Sequence, residues 1–169
     1  MRRALVAAVG LLALVGAACG DDDEGDVGAD DSFVSTIRPA IEAVEAELGG
    51  GQEFFEVTAG PQVTNLFVAV EGATAAVPYV FLDGELQPPA PILTGASGFT
   101  FAGDAVDFAE DSILDAVADE LPESTIGALS IEGGPDGAVR YVISTLSPGG
   151  GRLDVTVSRD GAVLEVDPV

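Results

Sequence analysis

The stretch AAVPYVFLDGEL, from Ala75 to Leu86, decides how the chain is read. An apolar run rich in β-branched and aromatic residues closes on Asp83-Gly84 and resumes at Glu85-Leu86. Asp-Gly suits a two-residue hairpin turn in which both central residues take positive φ, so the stretch predicts two antiparallel strands. Working outward, Glu53 to Ala59 and Gln62 to Glu71 are strand-like for the same compositional reason, and the three runs form a meander. Upstream, Phe33, Ile37, Ile41, Val44 and Leu48 recur at spacings of four, four, three and four, which lines them along one helix face. Pro39 is tolerated only in a first turn, so the regular helix is expected to begin near Ser35 or Thr36 and to stop at Gly49-Gly50-Gly51.

Downstream the plan repeats. Pro88 to Gly98 carries three prolines and reads as a linker or crossover loop. Asp107, with Glu110 three residues later, forms a capping-box pattern; Phe108, Ile113, Leu114, Val117 and Leu121 supply an apolar face before Pro122 ends the helix. Strand-like runs follow at Thr125 to Glu132, Ala138 to Leu146, Arg152 to Arg159 and Ala162 to Val166, broken by Gly- and Pro-rich turns and by Asp160-Gly161. The expected fold class is α+β: two tandem units of one helix packed on a three- to four-stranded antiparallel meander sheet. The first unit spans 32–90, the linker 91–98 and the second unit 99–169.

This helix-and-meander pattern resembles the tandem units of PepSY-like domains and of the secreted β-lactamase-inhibitory proteins of actinobacteria. The likeness is carried by Val106-Asp107-Phe108, by the strand Val139-Arg140-Tyr141-Val142-Ile143 and by the hairpin at Asp160-Gly161. The chain has one cysteine, so the disulfides of the inhibitory proteins have no counterpart here.

The N-terminus has a different character. Arg2-Arg3 precede an apolar run from Ala4 to Ala18, the layout of a secretory signal peptide over 1–18. Fifteen helical residues span roughly 22 Å, short of the roughly 30 Å hydrocarbon layer, so cleavage suits the segment better than a permanent span. Leu14-Val15-Gly16-Ala17-Ala18-Cys19 resembles the bacterial lipobox, with Gly16 where Leu is usual. The resemblance implies that Cys19 receives a diacylglyceryl group and anchors the mature chain to the outer face of the cell membrane. The string Ala-Cys-Gly-Asp-Asp-Asp looks like many actinobacterial lipoproteins, and the use of Arg with no Lys, with heavy Ala, Gly, Val and Asp, suggests a GC-rich genome. Two acyl chains meet the requirement for stable attachment, and a lipid thioether removes an unpaired thiol from an oxidising compartment. From Gly20 to Asp31 there are seven acids and no cation, a self-repelling block that reads with Cys19 as an acidic tether over 19–31. Calcium binding is the functional alternative for the tether, but the EF-hand pattern fails at Gly25 and Ser32.

Charge and composition close several function classes. Of 169 residues, 29 are acidic and 6 are basic, for a net charge of −23, so no basic stripe exists to displace counterions from nucleic acid. With no His there is no base to activate Ser97 in Gly95-Ala96-Ser97-Gly98, and with no Lys there is no phosphate loop. Asp107, Glu110 and Asp111 cluster where carboxylates also complement a helix dipole. No cofactor or metal ligand set is legible.

What remains are aromatic residues on predicted strands, Phe54, Phe55, Phe67, Tyr79, Phe81 and Tyr141, and the cations of the last strands. The candidate partner contact is Tyr79, Phe81, Arg140, Tyr141, Arg152 and Arg159; the alternatives are plain core for the aromatics and cross-strand ion pairs for the arginines. The function expected is a non-enzymatic, lipid-anchored envelope module that binds a protein or peptide through an exposed sheet face. A carrier or sensor of a small apolar ligand held between the two units is the alternative.

Overall fold

A computed structural model of the chain describes residues 31–169, so the signal-like run, Cys19 and the tether up to residue 30 lie outside the described residues. A 3-10 turn at Asp31–Thr36 leads into helix α1, Ile37–Leu48, with Pro39 in its first turn where no backbone hydrogen bond is lost. At the other end Gly49 takes φ 100°, and the N–H groups of Gly49 and Gly50 both donate to the Glu45 carbonyl. Only a residue free of Cβ strain closes a helix this way. Phe33, Val34, Ile37, Ala40, Ile41 and Val44 are buried, whereas Leu48, expected on the same face, is exposed.

The strands are β1 (Glu53–Ala59), β2 (Thr64–Val70), β3 (Ala75–Leu82), β4 (Glu85–Leu86), β5 (Leu93–Thr94), β6 (Phe101–Ala102), β7 (Thr125–Gly133), β8 (Val139–Leu146), β9 (Arg152–Val157) and β10 (Val163–Pro168). They form one antiparallel sheet in the order β10-β9-β8-β7-β1-β2-β3-β4, with β5 on β3 and β6 on β1. Broadly the fold is α+β, an open antiparallel sheet with one main helix. Two separate tandem units are not seen. The first strands of the two meanders, β1 and β7, pair with each other over Glu56↔Glu132, Val57↔Ile131, Thr58↔Ser130 and Ala59↔Leu129. Each meander would otherwise end there in an unpaired edge, and joining the edges satisfies both. The consequence is a single shared core holding Ile37, Ile41 and Val44 of α1 together with Leu66, Val68, Leu129, Ile131, Ile143 and Val155.

Alternation along the strands assigns the two faces. Val57 and Ala59, Leu66 and Val68, Leu129 and Ile131, and Tyr141 and Ile143 are buried toward α1. The residues between them point to the other side. Thr64, also buried, shares a 2.6 Å hydroxyl hydrogen bond with Thr36 and so fixes the entry of α1 against β2.

Two local expectations need correction. The second helix, α2, covers only Asp115–Glu120; its N-terminus at Leu114 has no side-chain cap, so Asp107 and Glu110 form no capping box. Their carboxylates are drawn to cations instead, Asp107 to Arg159 at 2.9 Å and Glu110 to Arg38 at 3.6 Å. Residues 109–114 make successive turns, anchored by the Ala109 N–H donating to the Arg159 carbonyl. Nevertheless Phe108, Ile113, Leu114 and Val117 are buried as the apolar spacing requires. The two Asp-Gly turns also differ. At Asp83 (φ 52°) and Gly84 (φ 82°) both central residues are left-handed, as the two-residue hairpin demands. At the second, only Gly161 (φ 84°) has positive φ, and Ser158 exchanges hydrogen bonds with Gly161 and Ala162, which makes a three-residue loop. That loop docks closely: a Cβ on Gly161 would lie 2.7 Å from the Ser112 carbonyl oxygen, whereas one on Gly84 meets open space.

Gly161→Ala is therefore expected to cost roughly 3 kcal/mol, combining overpacking with a left-handed side chain. Gly84→Ala should cost about 1 kcal/mol, from the backbone strain alone. Urea denaturation of the two variants checks the ranking; equal losses would show that the docked turn carries no packing constraint.

Candidate functional site

The face of the sheet away from α1 holds the site. At its centre the outward residues of β1 and β7 are Glu56, Thr58, Ser130 and Glu132. Toward β2 and β3 they become apolar, with Phe55, Phe67 and Ala76. Register slips between Phe54 and Glu56 of β1 against Val68 and Phe67 of β2, leaving Phe55 as the extra residue of a bulge that aims its ring to this side. The crossover segment between the meanders then folds over the apolar part. Leu93 and Thr94 pair with Ala76 and Ala75, and Ala90 N–H donates to the Pro78 carbonyl.

Together these residues enclose an open cleft of about 560 Å³, walled by Phe55, Phe67, Ala76, Leu93 and Phe99 and by the backbone of residues 95–98. Among the described residues, Glu56 and Glu132 are the only ionisable side chains in its lining. One wall depends on a glycine. The chain at Phe99-Thr100 crosses Gly133 so closely that a Cβ there would sit 2.3 Å from the Phe99 carbonyl oxygen. Leaving out that side chain lets Phe99 stand over the cleft, where it is 57% exposed.

A second groove, about 480 Å³, continues from Glu56 along Thr58, Ser130, Ser144 and Arg152. Its floor is mostly apolar surface set with hydroxyls that are internally bonded. Thr58 donates to the Glu56 carboxylate and shares a 2.9 Å hydrogen bond with Ser130; Ser144 donates to Asp154 at 2.7 Å.

The residues singled out from sequence are dispersed by this arrangement. Tyr79 and Phe81 are core residues on the helix-covered face, at 6% and 7% exposure, which removes them from any outward patch. Tyr141 is also buried, stacked at a tilt 5.6 Å from Phe108; its hydroxyl donates to the Asp107 carbonyl at 2.8 Å and accepts from the Asp107 N–H. Burial holds its phenol above the usual tyrosine value. The hydroxyl thus pins the segment leading to α2 onto β8. Arg140 is outward but bonded to Glu132, which pushes its already high pKa further up through that hydrogen bond and its charge. Arg152 lies 4.0 Å from Asp154, and Arg159 bridges Asp107 and Asp160. The arginines are therefore paired with neighbouring acids, one of the two alternatives open to them. Cys19 lies outside the described residues. Of the aromatics considered, Phe55 and Phe67 do line a groove, and Leu93, Phe99 and Gly133 complete it. The proline-rich composition of the crossover concealed Leu93 and Phe99, which become cleft walls only because the segment pairs with β3.

Among the described residues, no helix is long and apolar enough to cross a membrane, and no three of His, Cys, Asp and Glu are grouped to hold a metal ion. No protein-family model and no curated protein matches the chain. One solved structure does: a "putative lipoprotein" from Clostridium difficile 630, with a TM-score of 0.53, 10% identity, and coverage of 77% of this chain and 90% of that one. At this identity the likeness shows a shared fold.

Gly133→Ala is expected to push the Phe99-Thr100 backbone away and to cost about 2 kcal/mol. Amide NMR shifts confined to residues 98–101 and the cleft walls, with lowered stability, would confirm the close crossing. Tyr141→Phe should cost about 1 kcal/mol by removing both hydrogen bonds to Asp107. Because the folded phenol ionises above the unfolded one, its stabilisation is complete below about pH 10 and is lost as pH rises through the folded value. Stability measured from pH 8 to 11.5 should fall in the wild type and fall less in the Tyr141→Phe chain.

Proposed function

We propose that the chain is a non-enzymatic, lipid-anchored envelope module, tethered by Cys19 to the outer face of the cell membrane, whose uncovered sheet face receives a protein or peptide partner. The observation that carries the binding role is that face itself: it is left open by α1 yet built with an aromatic cleft and a continuing groove set with hydroxyls. Anchoring is supported by the lipobox-like Leu14 to Cys19 and by the fold's likeness to a structure described as a lipoprotein. The further resemblance to PepSY-like and actinobacterial proteins rests on the sequence pattern alone. The absence of His and Lys, and a sheet whose outward acids are engaged by Arg140 and Thr58, support a role in recognition rather than reaction.

A second reading, a carrier or sensor of a small apolar ligand, is favoured by the cleft volume of about 560 Å³, which falls in the range of ligand pockets. The cleft lies on the open face and not between two units. The anchoring half of the proposal is tested by growth with an alkyne-tagged fatty acid. The wild type should carry the tag and fractionate with membranes, while Cys19→Ser should carry none and appear in the medium or as uncleaved precursor. A wild-type chain found unlabelled in the medium would refute the anchor.

A further inference from the structure

The open-face reading leaves the partner's chemistry unspecified, and the cleft supplies it. Glu56 and Glu132 stand directly opposite each other in the β1–β7 pairing. Like charges across an antiparallel pair repel, and this pair sits at the seam that joins the two meanders. Glu132 is answered by Arg140 and Glu56 only by the neutral hydroxyl of Thr58, so the pair as a whole is one cation short. Among the described residues no cation lines the cleft, whose bulky apolar walls are Phe55, Phe67, Leu93 and Phe99. An ammonium or guanidinium over the carboxylate pair would relieve the repulsion and could also lie against aromatic faces, while an adjoining apolar group fills the cleft. An anionic amphiphile would meet two carboxylates in a chain of net charge −23.

The shape argues for an extended occupant. The aromatic cleft and the second groove share Glu56 and so form a track across the sheet, with hydroxyls of Thr58, Ser130 and Ser144 along its second part. Arg152 at the far end of that second part disfavours another cation there. Resting on the open-face reading, we propose that this track binds an extended peptide segment in which a Lys or Arg, seated over Glu56 and Glu132, lies two residues from an apolar side chain seated among Phe55, Phe67 and Phe99.

The test is binding of the full chain, as isolated from cells, to an array of blocked hexapeptides that carry, two residues apart across a central Ala, the pair Phe-Lys, Phe-Arg, Phe-Glu or Ala-Lys. Phe-Lys and Phe-Arg peptides should bind at least tenfold tighter than the other two, with affinity falling as salt rises. Phe67→Ala and Glu56→Gln should each weaken that binding at least fivefold, and Glu56→Gln should at the same time raise the thermal midpoint, because it removes the cross-strand repulsion. A rise in stability with a loss of binding is a signature that a purely structural Glu56 would not give. If Phe-Glu binds as well as Phe-Lys and Phe67→Ala weakens both, the charge assignment is overturned while the open-face reading stands. If no peptide binds but dodecyltrimethylammonium does, in a Phe67-dependent way, the small-ligand reading replaces the peptide. If neither class binds, both the proposal and the open-face reading fall.

Discussion

The antiparallel pairing of β1 with β7 is the contact on which the rest of the fold depends. It joins strands more than seventy positions apart in sequence, as the Thr58–Ser130 hydrogen bond marks. Without it each meander would be a small sheet with an exposed inner edge and half a core. With it, α1 and the segment around α2 pack on one continuous surface, and Leu129 and Ile131 meet Val57 and Ala59 within a single apolar layer. A long-range pairing of this kind carries a loop-closure cost, which the shared core offsets through burial.

The same pairing places charge where an apolar layer cannot hide it. Because side chains alternate, fixing Val57 and Ile131 inward obliges Glu56 and Glu132 outward, face to face. The bulge at Phe55 and the side-chain-free approach at Gly133 then gather aromatic surface beside the two acids. Fold and site are thus consequences of one register: a one-residue slip would bury the acids and expose the core valine and isoleucine.

Much of this was legible in the sequence. The limits of α1 follow from Pro39 and Gly49, the hairpin at Asp83-Gly84 follows from its turn chemistry, and β1 and β3 run between their expected ends. Local signals specify local structure. What they do not contain is partnership between distant strands, so the merging of two meanders into one sheet was invisible, and with it the fact that Tyr79 and Phe81 face α1. The short α2 shows a competition that a helix pattern cannot reveal. Asp107 has the right spacing for a cap, but its backbone is taken by the Tyr141 hydroxyl from β8 and its carboxylate by Arg159 from the β9–β10 loop, both far downstream.

The outer strand β10 has a consequence of its own. It pairs on one side with β9 and carries the exposed side chains Leu164 and Val166, the combination from which stacked fibrils grow. Pro168 withholds a backbone donor from that border, and Glu165 and Asp167 set like charge against any second copy aligned along it. Two such rims brought side by side would set these acids against one another, which disfavours growth of the sheet from that border.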